Sequence, residues 1–371
     1  MDITFPDSYP DSRARFIRDV ELIRAKWPET TLETHPLKAS PDVSIDYAWA
    51  QPRKKENLIV ISTALHGIEG YVGSAMLKIF MDEFAPLLDH ENTGLLLIHT
   101  INPLGMKNRR RYNENNVDLN RNFVWDETFS PETNPDYEPL IPLLNPARPI
   151  SFLPASDAAF ISRLIARIIK LGILRIRQGM LSGQYRHARG VQFGGQATQE
   201  STSLVRGLFE QALSEYDQVI HLDMHTGYGP RYQMSFVNSQ REQASAEELK
   251  RRFNYPLIVS ANPSEFYTVT GDITEYFYQL RDEKYPSKKI FATCFEFGTF
   301  GDSLLAQIRS MRITILENRL HQHGAKSDAI KESVKKEYGE LFFPAEIKWR
   351  EKALQDCRQA MSGVFKDFKL I

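Results

Sequence analysis

Apolar positions along the chain follow two periods. From Ser12 to Trp27 the residues Phe16, Ile17, Val20, Ile23 and Trp27 recur at helical spacing and predict an amphipathic helix. Two extended stretches follow, Thr31–Leu37 and Val43–Ala50, broken by Ser40-Pro41-Asp42, and read as a hairpin at a sheet edge. From Asn57 onward short apolar runs alternate with helical segments. Leu58–Ala64, Leu95–Ile101, Val219–Met224, Leu257–Ala261 and Ile290–Phe295 read as buried strands, and Ser74–Phe84, Leu204–Ser214 and Ile273–Asp282 as helices. The alternation predicts an α/β chain with a mixed, mainly parallel twisted sheet and helices on both faces.

Two regions break this rhythm. Val124–Pro154 is proline-rich with little periodicity, and Ser156–Gly179 is helical, so residues 124–182 read as a helical insertion. Residues 321–371 read as a mixed-charge helical extension behind a motif-bearing core of about 45–320, the whole forming one domain of residues 1–371. There is no internal repeat.

Composition narrows the chemistry. The 371 residues hold 46 Lys plus Arg against 47 Asp plus Glu, a net charge of −1, with nine His and two Cys. Two thiols can build neither a disulfide framework nor a cysteine-ligated zinc cluster, so any metal must be held by His and carboxylate. Near-neutrality argues against a nucleic-acid partner. The N-terminus, Met1 to Tyr9, has no basic stretch followed by an apolar one, and nowhere do apolar residues run to the ~18 that a membrane span needs, so a cytoplasmic protein is expected. The neutrality is an average: Ala158–Gln199 carries seven Lys/Arg and no acid. That stretch reads as a core-packed amphipathic helix with a solvated basic side, as a basic lip for carboxylate substrates, or as a membrane-surface helix, the first being preferred and membrane contact not expected.

In open α/β sheets ligands bind beyond the carboxyl ends of the strands. His66-Gly67-Ile68-Glu69 follows the first predicted buried strand, Asn102-Pro103-Leu104-Gly105 the second, His225-Thr226-Gly227 a third, and Glu296-Phe297-Gly298-Thr299 ends a fourth. His66 and Glu69 read either as a strand-end histidine with a helix N-terminal carboxylate or as two convergent ligands. His225 supplies a second nitrogen, while His221, deeper on the same strand face, reads as packing. A carboxylate at Glu296 fits a general base near activated water, or else an ion pair with a structural Arg. Of Arg109, Arg110 and Arg111, two read as solvated loop residues, whereas Asn120-Arg121, boxed by Asp118, Leu119 and Phe123, suits a bidentate carboxylate clamp.

Taken in order, these motifs resemble the zinc carboxypeptidase superfamily: His-x-x-Glu, an Asn-Pro-x-Gly turn, an Arg, Asp-x-Asn-Arg-Asn-Phe, a distant His and a late Glu. The chain is most similar to an uncharacterised, mostly bacterial branch, through Arg110–Phe123, Gly183-Gln184-Tyr185 to Gly194-Gly195, and Glu296–Thr299. The resemblance spans roughly Leu58 to Gly301. It implies one Zn²⁺ on His66, Glu69 and His225, Glu296 as general base, Arg111 stabilising the oxyanion, and Asn120 with Arg121 gripping a substrate carboxylate. Tyr267, Tyr276 and Tyr278 lie where the family's substrate-capping Tyr falls, and none matches a motif. The implied function is a metallocarboxypeptidase-type hydrolase acting on a small peptide or acyl-amino-acid with a free carboxylate. Within the same chemistry stands an N-acyl amino acid deacylase of aspartoacylase type, and outside it a non-catalytic metal-binding protein. A second metal on His221 and Asp223 is conceivable, and the oligomeric state is not legible.

Overall fold

The computed structural model describes residues 5–260 and 270–371. Pro10 in its first turn and a Ser8 cap start helix α1 (Tyr9–Arg24), which leads into the antiparallel pair β1 (Thr30–Leu37) and β2 (Ser40–Ala50). Strand β3 (Asn57–Thr63), helix α2 (Gly70–Ile79) and strand β4 (Thr93–Ile98) form a parallel crossover. Helix α3 (Pro103–Lys107) is capped by the Asn102 side chain. The insertion holds α4 (Ile141–Leu144), α5 (Leu153–Leu171) and α6 (Ile173–Leu181), with irregular chain before it. Then come α7 (Glu200–Glu215), β5 (Gln218–Thr226), β6 (Met234–Asn238), α8 (Ala246–Phe253), β7 (Ile258–Ser260), α9 (Ile273–Lys284) and β8 (Lys289–Phe297). Three helices close the chain: α10 (Leu304–His323), α11 (Asp328–Phe342) and α12 (Ile347–Asp367).

The eight strands make one mixed sheet in the order β1-β2-β4-β3-β5-β8-β6-β7. Its four central strands, β4, β3, β5 and β8, are parallel; β4 and β3 carry continuous apolar runs, as burial on both faces requires, while β5 alternates apolar residues with His221, Asp223 and His225. Helices α1, α2 and α12 cover one face, and α7 and α9 the other. The strand alternation sorts β5 accordingly: Met224 meets Gly73 of α2, while His221 packs edge-on to Phe209 of α7 and Phe277 of α9. From β3 the chain crosses to β4 on one side and, later, to β5 on the other. The crevice between β3 and β5 is therefore the switch point where a ligand belongs.

Three details depart from the sequence reading. Strand β6 is added; its Met-Ser-Phe-Val-Asn run is too short and too polar to stand out from the turns around it. The predicted strand ending at Ala261 covers β7 up to Ser260, and Ala261 lies outside the described residues. The C-terminal extension is part of the main core, where Trp349, Met361 and Phe365 pack with residues of the sheet and α2. The insertion rests instead on a smaller core of Phe160, Leu164, Ile176 and Met180 against Ile315 of α10. No helix among the described residues is long and apolar enough to cross a membrane.

Candidate metal centre

The chain leaves β3 through Ala64, a non-glycine residue at φ +56, and this left-handed kink turns the backbone sharply out of the strand before His66. A Cβ on Gly67 would lie 2.2 Å from the Gly105 carbonyl carbon, so the His66 turn sits directly on the Asn102–Gly105 turn and only glycine fits. Glu69 follows at the start of α2, within one helical turn of His66. His225 comes from the end of β5, next to β3, and Gly227 at φ +125 carries the chain away. In the parallel ladder of β5 and β8, His225 stands directly beside Glu296.

His66, Glu69 and His225 converge, each no more than 3 % exposed. His66 Nδ1 lies 2.9 Å from Glu69 Oε1, His225 Nδ1 lies 3.1 Å from Glu69 Oε2, and the two Nδ1 atoms are 3.2 Å apart. Zinc–nitrogen bonds of about 2.0–2.1 Å at tetrahedral angles set donor–donor separations of about 3.3 Å. The three donors already hold that spacing. Two ring nitrogens facing one another need a shared proton or a cation between them, so the donor set fits a divalent metal. The outer nitrogens are taken by buried carboxylates: His66 Nε2 is 3.1 Å from Asp118 Oδ1, and His225 Nε2 is 2.6 Å from Asp223 Oδ2. Such partners fix the ring and its tautomer, leaving Nδ1 as the atom available to a metal.

The electrostatics agree. Burial opposes charge on Glu69, yet the facing His66 and bonds from His225 and His66 hold its carboxyl below the usual range. Asp118 behaves likewise against Arg111 and His66, and Asp223 against His225. Three buried carboxylates are thus held charged by the positive charge that faces them, from Arg111 and the two imidazoles, which is the kind of charge a bound cation would carry in place of the imidazole protons. Asp223 also accepts from Ser62, which bonds His221 Nε2, so His221 and Asp223 support His225 from below. His221 Nε2 and both Asp223 oxygens are engaged in this network, and among the described residues the pair belongs to no group of three convergent donors; His225, Cys294 and Glu296 form a second such group there, within 4.8 Å of one another.

Glu296 opens onto a cavity of about 360 Å³ shared with His66 and His225. Its Oε1 accepts the Tyr228 backbone N–H at 2.9 Å. Burial, then the nearby Glu69 charge, push its carboxyl up to about 7. Arg111 lines the cavity with Nε on Asp118 at 2.9 Å and Nη1 3.4 Å from Glu69. Asn120 and Arg121 line it too, but most of their polar atoms are committed, with Arg121 Nε buried and without a partner among the described residues. The Asn120 amide donates to Asp272 and accepts the Ile273 N–H at the start of α9; Arg121 donates to the carbonyls of Asn120 and Leu181.

Of the arginine triplet, Arg109 is exposed as a loop residue should be. Arg110 corrects the sequence reading: it is buried, with Nε on Glu317 at 2.7 Å and Nη2 on Asn116 at 2.9 Å. Among the tyrosines, Tyr276 bonds Arg206, Tyr278 bonds Glu242, and neither lines the cavity; Tyr267 lies outside the described residues. Tyr228, which sequence reasoning passed over, does line it, and its place three residues past His225 between two glycines was the available signal. Arg177 and Met180 of α6 form part of the opposite wall and carried no signal beyond the acid-free stretch.

The family described as "Protein of unknown function (DUF2817)" matches residues 5–356. No curated protein matches. Among solved structures the chain is similar to bovine thrombin-activatable fibrinolysis inhibitor, at 12 % identity and a TM-score of 0.48, over 89 % of this chain and 99 % of that one. It is similar to carboxypeptidase A from Helicoverpa armigera at 12 % identity and a TM-score of 0.48, over 86 % and 74 %. It is also similar to an aspartoacylase family protein from Mesorhizobium loti at 13 % identity and a TM-score of 0.36, over 81 % and 68 %.

Proposed function

The chain belongs to the DUF2817 family, and for it we propose a zinc-dependent hydrolase that cleaves an amide bond next to a free carboxylate. The observation that carries this reading is the convergence of His66, Glu69 and His225 at the floor of a cavity lined by the two histidines and Glu296. His66 Nδ1, His225 Nδ1 and the Glu69 carboxylate would hold the ion. When bound, zinc supplies Lewis acidity, lowering the pKa of water and polarising a carbonyl.

The chain's own groups do the rest. Glu296, fixed at Oε1 by the Tyr228 N–H and poised near neutrality, takes the proton of the attacking water and delivers it to the departing amine. Arg111, anchored between Asp118 and Glu69, faces the cavity as the cation for a developing oxyanion. The outer carboxylates keep both imidazoles aimed inward, and the α5–α6 wall lines the space opposite them. Asn120 would grip a substrate carboxylate only by exchanging its bond to Asp272, and Arg121 could offer Nε alone without giving up a backbone carbonyl.

The test is hydrolysis of N-blocked dipeptides and N-acyl amino acids by the zinc-loaded protein. Glu296→Gln should keep its zinc and lose about 10²- to 10⁴-fold in kcat. Faster dipeptide cleavage makes the protein a carboxypeptidase-type peptidase, and faster N-acyl amino acid cleavage a deacylase. Zinc without turnover of either class, or an unimpaired Glu296→Gln, would identify a non-catalytic metal-binding protein.

A further inference from the structure

Three guanidinium groups line the cavity, and they differ in what already occupies them. Arg111 is paired with Asp118 and Glu69. Arg121 has given Nη1 and Nη2 to backbone carbonyls, at 2.8 and 2.7 Å, which leaves only its buried Nε without a partner among the described residues. Arg177, on α6, donates Nη2 to the Tyr228 hydroxyl at 3.2 Å, and its Nε is buried with no hydrogen-bond partner among the described residues. No carboxylate among the described residues lies within ion-pair distance of Arg177; the cavity's other acids are engaged elsewhere, Asp272 capping α9 and holding Asn120, Glu275 on Arg241 and Ser239. Arg177 thus keeps both Nη1 and Nε where Arg121 keeps only Nε, and a cation with spare donors and no counter-ion on a cavity wall is a site for an anion.

Its position suits a substrate carboxylate. Tyr228 links the two ends of the cavity: its N–H bonds Glu296 and its hydroxyl accepts from Arg177, so the length of one tyrosine separates the general base from the guanidinium. Around Arg177 the wall is apolar, with Ile173, Ile176 and Met180 from its own helix and Ile308 and Met311 from α10. We propose that Arg177 receives the free carboxylate of the substrate and sets specificity for acyl or peptidyl amino acids with an apolar side chain. The inference rests on the amide-hydrolase reading and moves the carboxylate grip from Arg121 to the insertion. A planar fork is needed here, since one donor serves Tyr228 while the others face the ligand.

The experiment uses two readouts. In the first, zinc-loaded wild type, Arg177→Gln, Arg177→Lys and the exposed control Arg163→Gln hydrolyse N-acetyl-dipeptides ending in leucine or in leucinamide. Arg177→Gln should raise KM for the acid about 10- to 100-fold with little change in kcat, and leave the amide substrate untouched. Arg177→Lys should keep part of the preference, and Arg163→Gln all of it. In the second, calorimetry measures binding of N-acetyl-leucine against N-acetyl-leucinamide to Glu296→Gln, alone and combined with Arg177→Gln. Loss of acid binding in the double variant supports the assignment even where no substrate is turned over, which separates it from the hydrolase reading. A wild-type enzyme without preference for acid over amide, including one that binds neither, overturns it. So does a preference that survives Arg177→Gln and vanishes in Arg121→Gln.

Discussion

The floor of the cavity and its outer wall are built on different terms. At the strand ends His66, Glu69 and His225 are nearly inaccessible, and each imidazole is pinned from behind by a carboxylate and aligned by the ladder of β3, β5 and β8. Across the cavity, α5 buries Phe160 and Leu164 but turns Ile161, Ile165 and Ile169 outward, at 43 %, 52 % and 81 % exposure. The floor has hydrogen bonds that fix single atoms; the wall has an apolar strip on one side and open solvent on the other. The proposed chemistry uses the rigid side, and the proposed selection of substrate uses the side where packing is one layer deep.

The largest expected effect breaks the wall. Ile176 is fully buried in the insertion's small core, and Ile176→Ala should cost about 2–5 kcal/mol in chemical denaturation, whereas Ile169→Ala should stay within about 0.5 kcal/mol. Equal costs at the two positions would mean that the exposed strip is covered in solution. Next comes the floor's response to acid. Burial, opposed by Asp223, pushes His221 down to about 4, below its ordinary 6.5. Between these values the unfolded chain binds a proton that the folded one excludes, so stability is intact above pH 6.5 and declines as pH falls toward 4. The loss is on the order of 3 kcal/mol. Denaturation of the metal-free protein across that range should show this slope together with those of His99 and His321, which burial lowers alike, and His221→Gln should remove only its own share; α5 and α6 contain no histidine and should add nothing. The smallest effect sharpens the floor's geometry. Asp223→Asn should weaken zinc about 10- to 100-fold with the fold retained, because the amide no longer holds His225 Nε2–H with a full charge. Unchanged affinity would show that Asp223 serves the sheet rather than the ligand.

The same contrast separates what could be read from the chain. The floor was legible because strand ends are marked by a period of two, by apolar runs and by turn residues such as Gly67, Asn102 and Gly227; placing His66 beside His225 needed only the rule that sites gather where parallel strands end. The preferred reading of Ala158–Gln199 as a core-packed helix holds for half of it, because helical period shows that one face is apolar and says nothing of how much of that face finds a partner. Arg110 looked like its solvated neighbour Arg109, and its burial depends on Glu317, 207 residues away on α10. The commitments of Asn120 and Arg121 depend on α9 and on the end of α6, and Tyr228 meets Arg177 only through the insertion's docking. Contacts between distant segments leave no local pattern.

The central claim is that three donors at the ends of β3 and β5 hold a zinc ion. Metal analysis of the purified protein, with His66→Ala and His225→Ala beside it, tests this most directly. One zinc per chain in the wild type and its loss in both variants is the predicted result; a wild type without stoichiometric divalent metal, or variants that bind it unchanged, would contradict the assignment.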